Sequence, residues 1–176
     1  SIYTHMTDAP LVRLHIITAT VPGTIPDVDP DEVERQIVEA GRSWADQLQE
    51  ALIEARGEEN GLTLLRRYGE AFPAGYRERF MPTLAILDIE HVQESLQSGG
   101  MAMNLYRPIE AKPSELRLKL YNTGTQIPLS DILPILENMG FLVLSERPYR
   151  VNAPGKREVS LQDFQMQLRD GARIDP

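Results

Sequence analysis

The chain predicts an α+β fold, an antiparallel sheet carrying helices on one face. Three observations lead there. Stretches of period-two alternation sit near the start and in the last third. A long block of helical periodicity separates them. Within the last third, a short amphipathic helix stops at Gly140 and runs straight into the apolar strand Phe141 to Ser145. Alternation at period two marks a half-buried strand, and recurrence at three and four marks one face of a helix.

The elements follow in order. Leu11 to Thr20 reads as the first strand, with Val12, Leu14 and Ile16 on one side, and Val21-Pro22-Gly23 breaks it. Asp29-Pro30-Asp31-Glu32 then offers a cap carboxylate, proline at the first helical position and further acids in the first turn. All three favour a helix start. Val33, Ile37, Trp44, Leu48, Ala51, Leu52 and Ala55 form one apolar stripe, so a single long helix is expected up to Gly57. A second helix spans Asn60 to Phe72 and ends before Pro73. Ala74 to Phe80 is short and aromatic. A third helix opens at Pro82 and runs to about Gln97, with Leu84, Leu87, Ile89, Val92 and Leu96 inward.

Met101 to Arg107 and Leu116 to Asn122 alternate as a hairpin pair. Ser130 is placed to cap the next helix. Pro134 sits early enough there to cost one backbone bond, and Gly140 supplies the left-handed stop. The last strand, Val159 to Leu168, changes apolar phase between Leu161 and Phe164, which predicts a bulge or bend. Taken as one crossover, the helical block makes this β-α-β-β-α-β plus a trailing strand, the ferredoxin-like plan. The expected organisation is one domain over 7–176. Its helical insertion runs from about 30 to 98, and its sheet core is 11–20 with 101–168. Ser1 to Met6 reads as a cloning remnant, and the whole as an excised piece of a larger protein.

Composition bounds the function. The 176 residues are 41% apolar and 25% charged, the profile of a globular domain. Lys and Arg number 18 against 26 Asp and Glu, a net charge of -8, which opposes binding to a phosphate backbone. No apolar run is long enough to span a bilayer, so neither nucleic acid nor membrane is an expected partner. With no cysteine there is no disulfide, thiolate metal site or cysteine nucleophile, and a cytoplasmic setting is the simplest.

Chemical motifs are scarce. There is no glycine-rich phosphate loop and no His-Glu-x-x-His. Outside the first six residues only His15 and His91 remain, one on a strand and one on a helix surface, and structural roles suit both. The Asp27/Asp29/Asp31 cluster suits a helix cap, and it lacks the glycine and distal glutamate of a calcium loop. Arg66, Arg67, Arg77 and Arg79 lie among tyrosines, without the aromatic motif of an RNA-binding sheet. They read as a solvated or interdomain face. No catalytic or metal-ligating set is expected. What remains is Thr20, Pro22, Gly23 and Thr24, where glycine lets the backbone approach a small ligand and free amides could hold a carboxylate.

From Arg13 to Phe164 the chain resembles the N-terminal region of large bacterial NAD-specific glutamate dehydrogenases. The stretches that carry the resemblance are Ile37-Val38-Glu39-Ala40, Arg42 to Leu48, Leu64 to Pro73, Pro128 to Asp131, Leu136 to Gly140, and Glu146-Arg147-Pro148-Tyr149. In that family this region is similar to ACT domains, small ferredoxin-like modules ahead of a separate catalytic domain. The resemblance places Pro22-Gly23 at an ACT ligand loop, with Ala19 or Thr20 where that loop carries an acid or amide.

The implied role is non-catalytic, in regulation and subunit assembly. The parent enzyme would oxidatively deaminate L-glutamate to 2-oxoglutarate with NAD, and no cofactor would bind in this region itself. Expected partners are other domains of the same polypeptide, further copies of the parent and an amino-acid effector. Trp44, Tyr68, Phe72, Tyr76 and Phe80 are the expected interdomain surface. Two other readings stay open: an amino-acid sensor using Thr20 to Thr24, and a small enzyme working with paired carboxylates.

Overall fold

In the computed structural model, residues 2–5, 13–16, 29–109, 111–155 and 157–169 are described, and all that follows concerns them. They form two compact units, Ser1–Gly41 and Arg42–Pro176. In the first, β1 (Ile2–His5) pairs antiparallel with β2 (Arg13–Ile16), and α1 (Pro30–Gly41) follows. Asp29 caps α1, its Oδ1 accepting from the Asp31 amide at 3.0 Å, as the acidic cluster predicts.

The second unit holds the helices α2 (Trp44–Arg56), α3 (Glu58–Tyr68), α4 (Ala74–Arg77) and α5 (Pro82–Ser98). They are followed by β3 (Met101–Tyr106), β4 (Glu115–Thr123), α6 (Leu129–Asn138), β5 (Phe141–Ala153) and β6 (Arg157–Leu168). The four strands make one antiparallel sheet in the order β3-β4-β6-β5.

Several expectations change. Arg13–Ile16, the described part of the strand expected over 11–20, is not part of this sheet. It pairs instead with Ile2–His5, a segment read from the sequence as foreign. A partner so near in the chain closes a short loop, whereas joining the distant sheet would close a very long one. The helices therefore precede the four-stranded sheet and are not inserted into it.

The expected single long helix is two. Ser43 interrupts it with a capping box, in which its Oγ accepts from the Asp46 amide at 3.2 Å and the Asp46 carboxylate accepts from the Ser43 amide at 3.2 Å. Ser130 caps nothing. α6 begins at Leu129, after Pro128 and two residues before the start that a Ser130 cap would give, and the Ser130 hydroxyl turns to Asp131. Pro134 does lie inside α6, and Gly140 takes φ +86° beyond its end.

Helices cover both faces of the sheet, not one. On one face Tyr121, Tyr149, Val151, Val159 and Leu161 meet residues of α2, α3, α4 and α5. On the other, Leu116, Leu118, Leu120, Phe164 and Met166 meet Ile132 and Leu136 of α6. Neighbouring strand residues point to opposite faces, so β4 and β6 feed two cores at once. This explains the change of apolar phase in β6. Its pairing with β4 is unbroken from Val159 to Gln167, and the register shift falls in β5, between Val143 and Ser145.

Candidate functional site

The helical layer and the sheet meet along an aromatic and ionic seam. Tyr68, Phe72, Tyr76 and Phe80, expected as interdomain surface, are interior, all less than 7% exposed. Phe72 stacks on Tyr76 with centroids 4.4 Å apart, and Tyr149 of β5 meets Tyr76 edge-on at 5.6 Å. Trp44 is half-buried, donating from Nε1 to the Phe80 carbonyl at 2.9 Å, with the Arg77 guanidinium 5.5 Å from its ring. These rings hold this chain's own helices to its own sheet. Burying each phenylalanine is worth about 1.5–3 kcal/mol.

At the centre lies Asp88 of α5, 1% exposed. Its Oδ2 accepts from Lys119 Nζ at 2.6 Å and also from the Tyr76 hydroxyl, while its Oδ1 accepts from the Tyr121 hydroxyl at 2.6 Å. Lys119, also 1% exposed, sits with its ammonium 4.0 Å from the centroid of Phe80. A buried charge is tolerated only when paired and hydrogen-bonded, and both conditions hold here. Opposite Lys119 in the sheet register is Asp163, whose Oδ2 takes a bond from Arg117 Nη1 at 2.6 Å. Its Oδ1 is buried without a partner among the described residues.

Burial dominates the proton affinities here. It pushes the hydroxyls of Tyr76 and Tyr121 far above the usual tyrosine range, and the Asp88 carboxylate adds to the effect. Burial also raises the Asp163 carboxyl, against the pull of Arg117 and Lys119. Groups locked this way are poor proton carriers at neutral pH, and three donors already occupy the Asp88 carboxylate. The cluster ties a helix to a sheet and offers no reacting atom to a substrate.

Two more polar links follow the same seam. Ser95 Oγ donates to the Gly100 carbonyl at 2.7 Å, and Thr123 Oγ1 donates to the Ser95 carbonyl at 3.0 Å. The Asn152 amide of β5 donates to the Ala71 carbonyl at 2.9 Å. His91, read as a plain surface residue, stacks on Tyr121 at 5.2 Å.

Thr20, Pro22, Gly23 and Thr24 lie outside the described residues, as does Asp27. No group of three or more possible metal ligands exists among the described residues. Among them, too, no helix is long and apolar enough to cross a membrane.

Sequence reasoning missed Asp88, Lys119 and Asp163. The signal for Asp88 was present: Ala85, Asp88, Ile89, Val92 and Ser95 share a spacing of three and four, and all are buried. The stripe read instead placed Leu84 and Leu87 inward, and they are 37% and 47% exposed.

The comparisons with known proteins follow this architecture. Residues 1–45 match the family model for the glutamate dehydrogenase ACT2 domain, 51–94 the model for glutamate dehydrogenase helical motif 2, and 100–176 the model for the glutamate dehydrogenase ACT3 domain. The Asp88 cluster thus joins the second matched segment to the third. An NAD-specific glutamate dehydrogenase of Pseudomonas aeruginosa is 36% identical over 173 residues, 98% of this chain and 11% of that protein. One from Halomonas elongata is 39% identical over 150 residues, 85% of this chain and 9% of that protein. One from Mycobacterium tuberculosis is 30% identical over 162 residues, 89% of this chain and 10% of that protein. The chain therefore spans only about a tenth of the length of the curated relatives it matches. The chain belongs to the glutamate dehydrogenase family, matching in order its ACT2, helical motif 2 and ACT3 segments.

Proposed function

We propose that this chain is a non-catalytic regulatory and assembly part of a cytoplasmic NAD-dependent glutamate dehydrogenase. The parent reaction is oxidative deamination of L-glutamate to 2-oxoglutarate. The observation that carries the reading is the Asp88 cluster. The chain's most strongly placed ionisable groups are consumed in joining helical motif 2 to the ACT3 sheet. A rigid joint of this kind suits a part that transmits position, not one that transforms a substrate.

The assembly half of the proposal rests on β3. This strand is a sheet edge with no charge and no proline, and Met101, Met103 and Leu105 on its α6-side face are 47%, 56% and 53% exposed. The opposite edge, β5, is guarded by Pro148, Glu146, Arg147 and Arg150 and by its register shift. Guarded edges discourage strand pairing and bare ones invite it. β3 is accordingly the edge at which another subunit of the parent enzyme docks.

The direct test of the non-catalytic reading is an assay of the 176-residue chain for glutamate-dependent NAD reduction. No turnover is expected above buffer, and measurable turnover would overturn the reading.

A further inference from the structure

A second seam lies at the far end of α5. A cleft of about 220 Å³ is lined by Arg67 and Tyr68 of α3, Gln93, Leu96 and Gln97 of α5, and Pro154 and Arg157 at the β5–β6 turn. It has no acidic lining residue, although the chain carries 26 Asp and Glu. Arg157 Nε donates to the Pro154 carbonyl at 3.3 Å, which steadies the guanidinium and leaves its terminal nitrogens free. Arg67, Gln93 and Gln97 make no side-chain hydrogen bond or ion pair among the described residues. Tyr68 is 3% exposed, lines the cleft, and its hydroxyl has no partner among the described residues. Donors from three elements thus line one small space that holds no acidic side chain, and none of them is spent on an ion pair among the described residues.

We infer that this cleft binds a small oxyanion, the shared chemistry of a dicarboxylate and a phosphate. The two guanidiniums suit paired oxygens, and the amides and the tyrosine hydroxyl add neutral donors. Ligand pockets for drug-sized molecules run from about 300 to 1,000 Å³, so this one suits something smaller. Arg67 and Gln93 belong to helical motif 2, and Pro154 and Arg157 to the ACT3 domain. A bound anion would bridge the same two segments that Asp88 joins, which makes it an effector of that joint. This role rests on the regulatory reading above; the binding does not.

The test is thermal unfolding of the 176-residue chain in rising inorganic phosphate, and separately in rising succinate, with chloride at matched ionic strength as the reference. The expected result is a saturable rise in Tm with at least one of the two probes. Arg67→Gln and Arg157→Gln should each abolish it. Arg150→Gln, an exposed arginine outside the cleft, should leave it intact. Both cleft arginines are exposed, so the variants should fold as the parent does, which circular dichroism checks. A rise with phosphate alone identifies a phosphate ligand, and a rise with succinate alone a carboxylate ligand. No rise beyond chloride, or a rise that survives both cleft substitutions, overturns the inference. Neither result bears on catalysis, so a failure here stays distinct from a failure of the proposed function.

Discussion

The ammonium of Lys119 on β4 lies 2.6 Å from the carboxylate of Asp88 on α5, and both residues are 1% exposed. This contact joins two segments that family models describe separately. Breaking a buried pair leaves an uncompensated charge, whereas replacing both partners with apolar groups of similar size is often tolerated. Asp88→Ala should therefore cost about 3–5 kcal/mol. It strands Lys119 and also removes the acceptor for Tyr76 and Tyr121. The double variant Asp88→Leu with Lys119→Met should recover much of that loss. Urea unfolding of the single and double variants gives the comparison. A double variant no better than Asp88→Ala would show that the two tyrosine bonds, not the ion pair, carry the energy.

Alkaline pH should attack the same place. Tyr76 and Tyr121 have folded pKa values raised well above the ordinary tyrosine value of 10.0. The folded chain holds these protons more tightly than the unfolded one. Stability is then unaffected below the unfolded value and falls as pH rises above about 10. Absorbance of tyrosinate should show both hydroxyls ionising together with unfolding. A smooth titration of every tyrosine in a still-folded chain would contradict the burial described.

Asp163 governs the acid side. Burial raises its folded pKa above 3.8, more than Arg117 and Lys119 lower it. The folded state therefore binds the proton more tightly, and stability falls as pH rises from about 4 through the raised value. Asp163→Asn removes the titrating group. The stability difference between wild type and this variant should shift against the wild type across that window. Denaturant midpoints at a series of pH values measure it, and a difference that does not change with pH would refute the assignment.

Gly61 marks the closest approach of α3 to α2. A Cβ there would lie 2.8 Å from the backbone of Ile53 and from the carbonyl carbon of Leu52. Because backbone cannot move aside as a side chain can, Gly61→Ala should destabilise by about 1–3 kcal/mol, although alanine is the better helix former. Gly75→Ala, with open space around it, should be close to neutral or stabilising. Thermal melts of the two variants should separate clearly.

Much of the fold was legible because its signals are local. The proline start and glycine stop of α5, the β3–β4 hairpin and the helix ending at Gly140 all depend on residues within one element. What sequence reasoning missed depends on distant partners. Arg117, Lys119 and Tyr121 alternate with Leu116, Leu118 and Leu120, and alternation cannot reveal that a helix covers their side as well. Asp88 shares the buried spacing of Ala85, Ile89 and Val92, but the donors that make a carboxylate tolerable there come from α4 and β4. The aromatic run Tyr68, Phe72, Tyr76 and Phe80, expected as an interdomain surface, lies in the interior. Its partner proved to be the chain's own sheet. The capping box at Ser43 was a local signal that the strong apolar stripe outweighed.

The proposed assembly role is tested most directly by the solution mass of the full-length parent enzyme. Met103→Glu with Leu105→Glu places two charges on the bare face of β3, where the present side chains are half exposed and the sheet should persist. Sedimentation analysis should show the full-length variant dissociating into smaller species, while the 176-residue chain carrying the same changes keeps its melting temperature within a few degrees. A full-length variant with unchanged mass would contradict the account, because the edge assigned to assembly would then carry none.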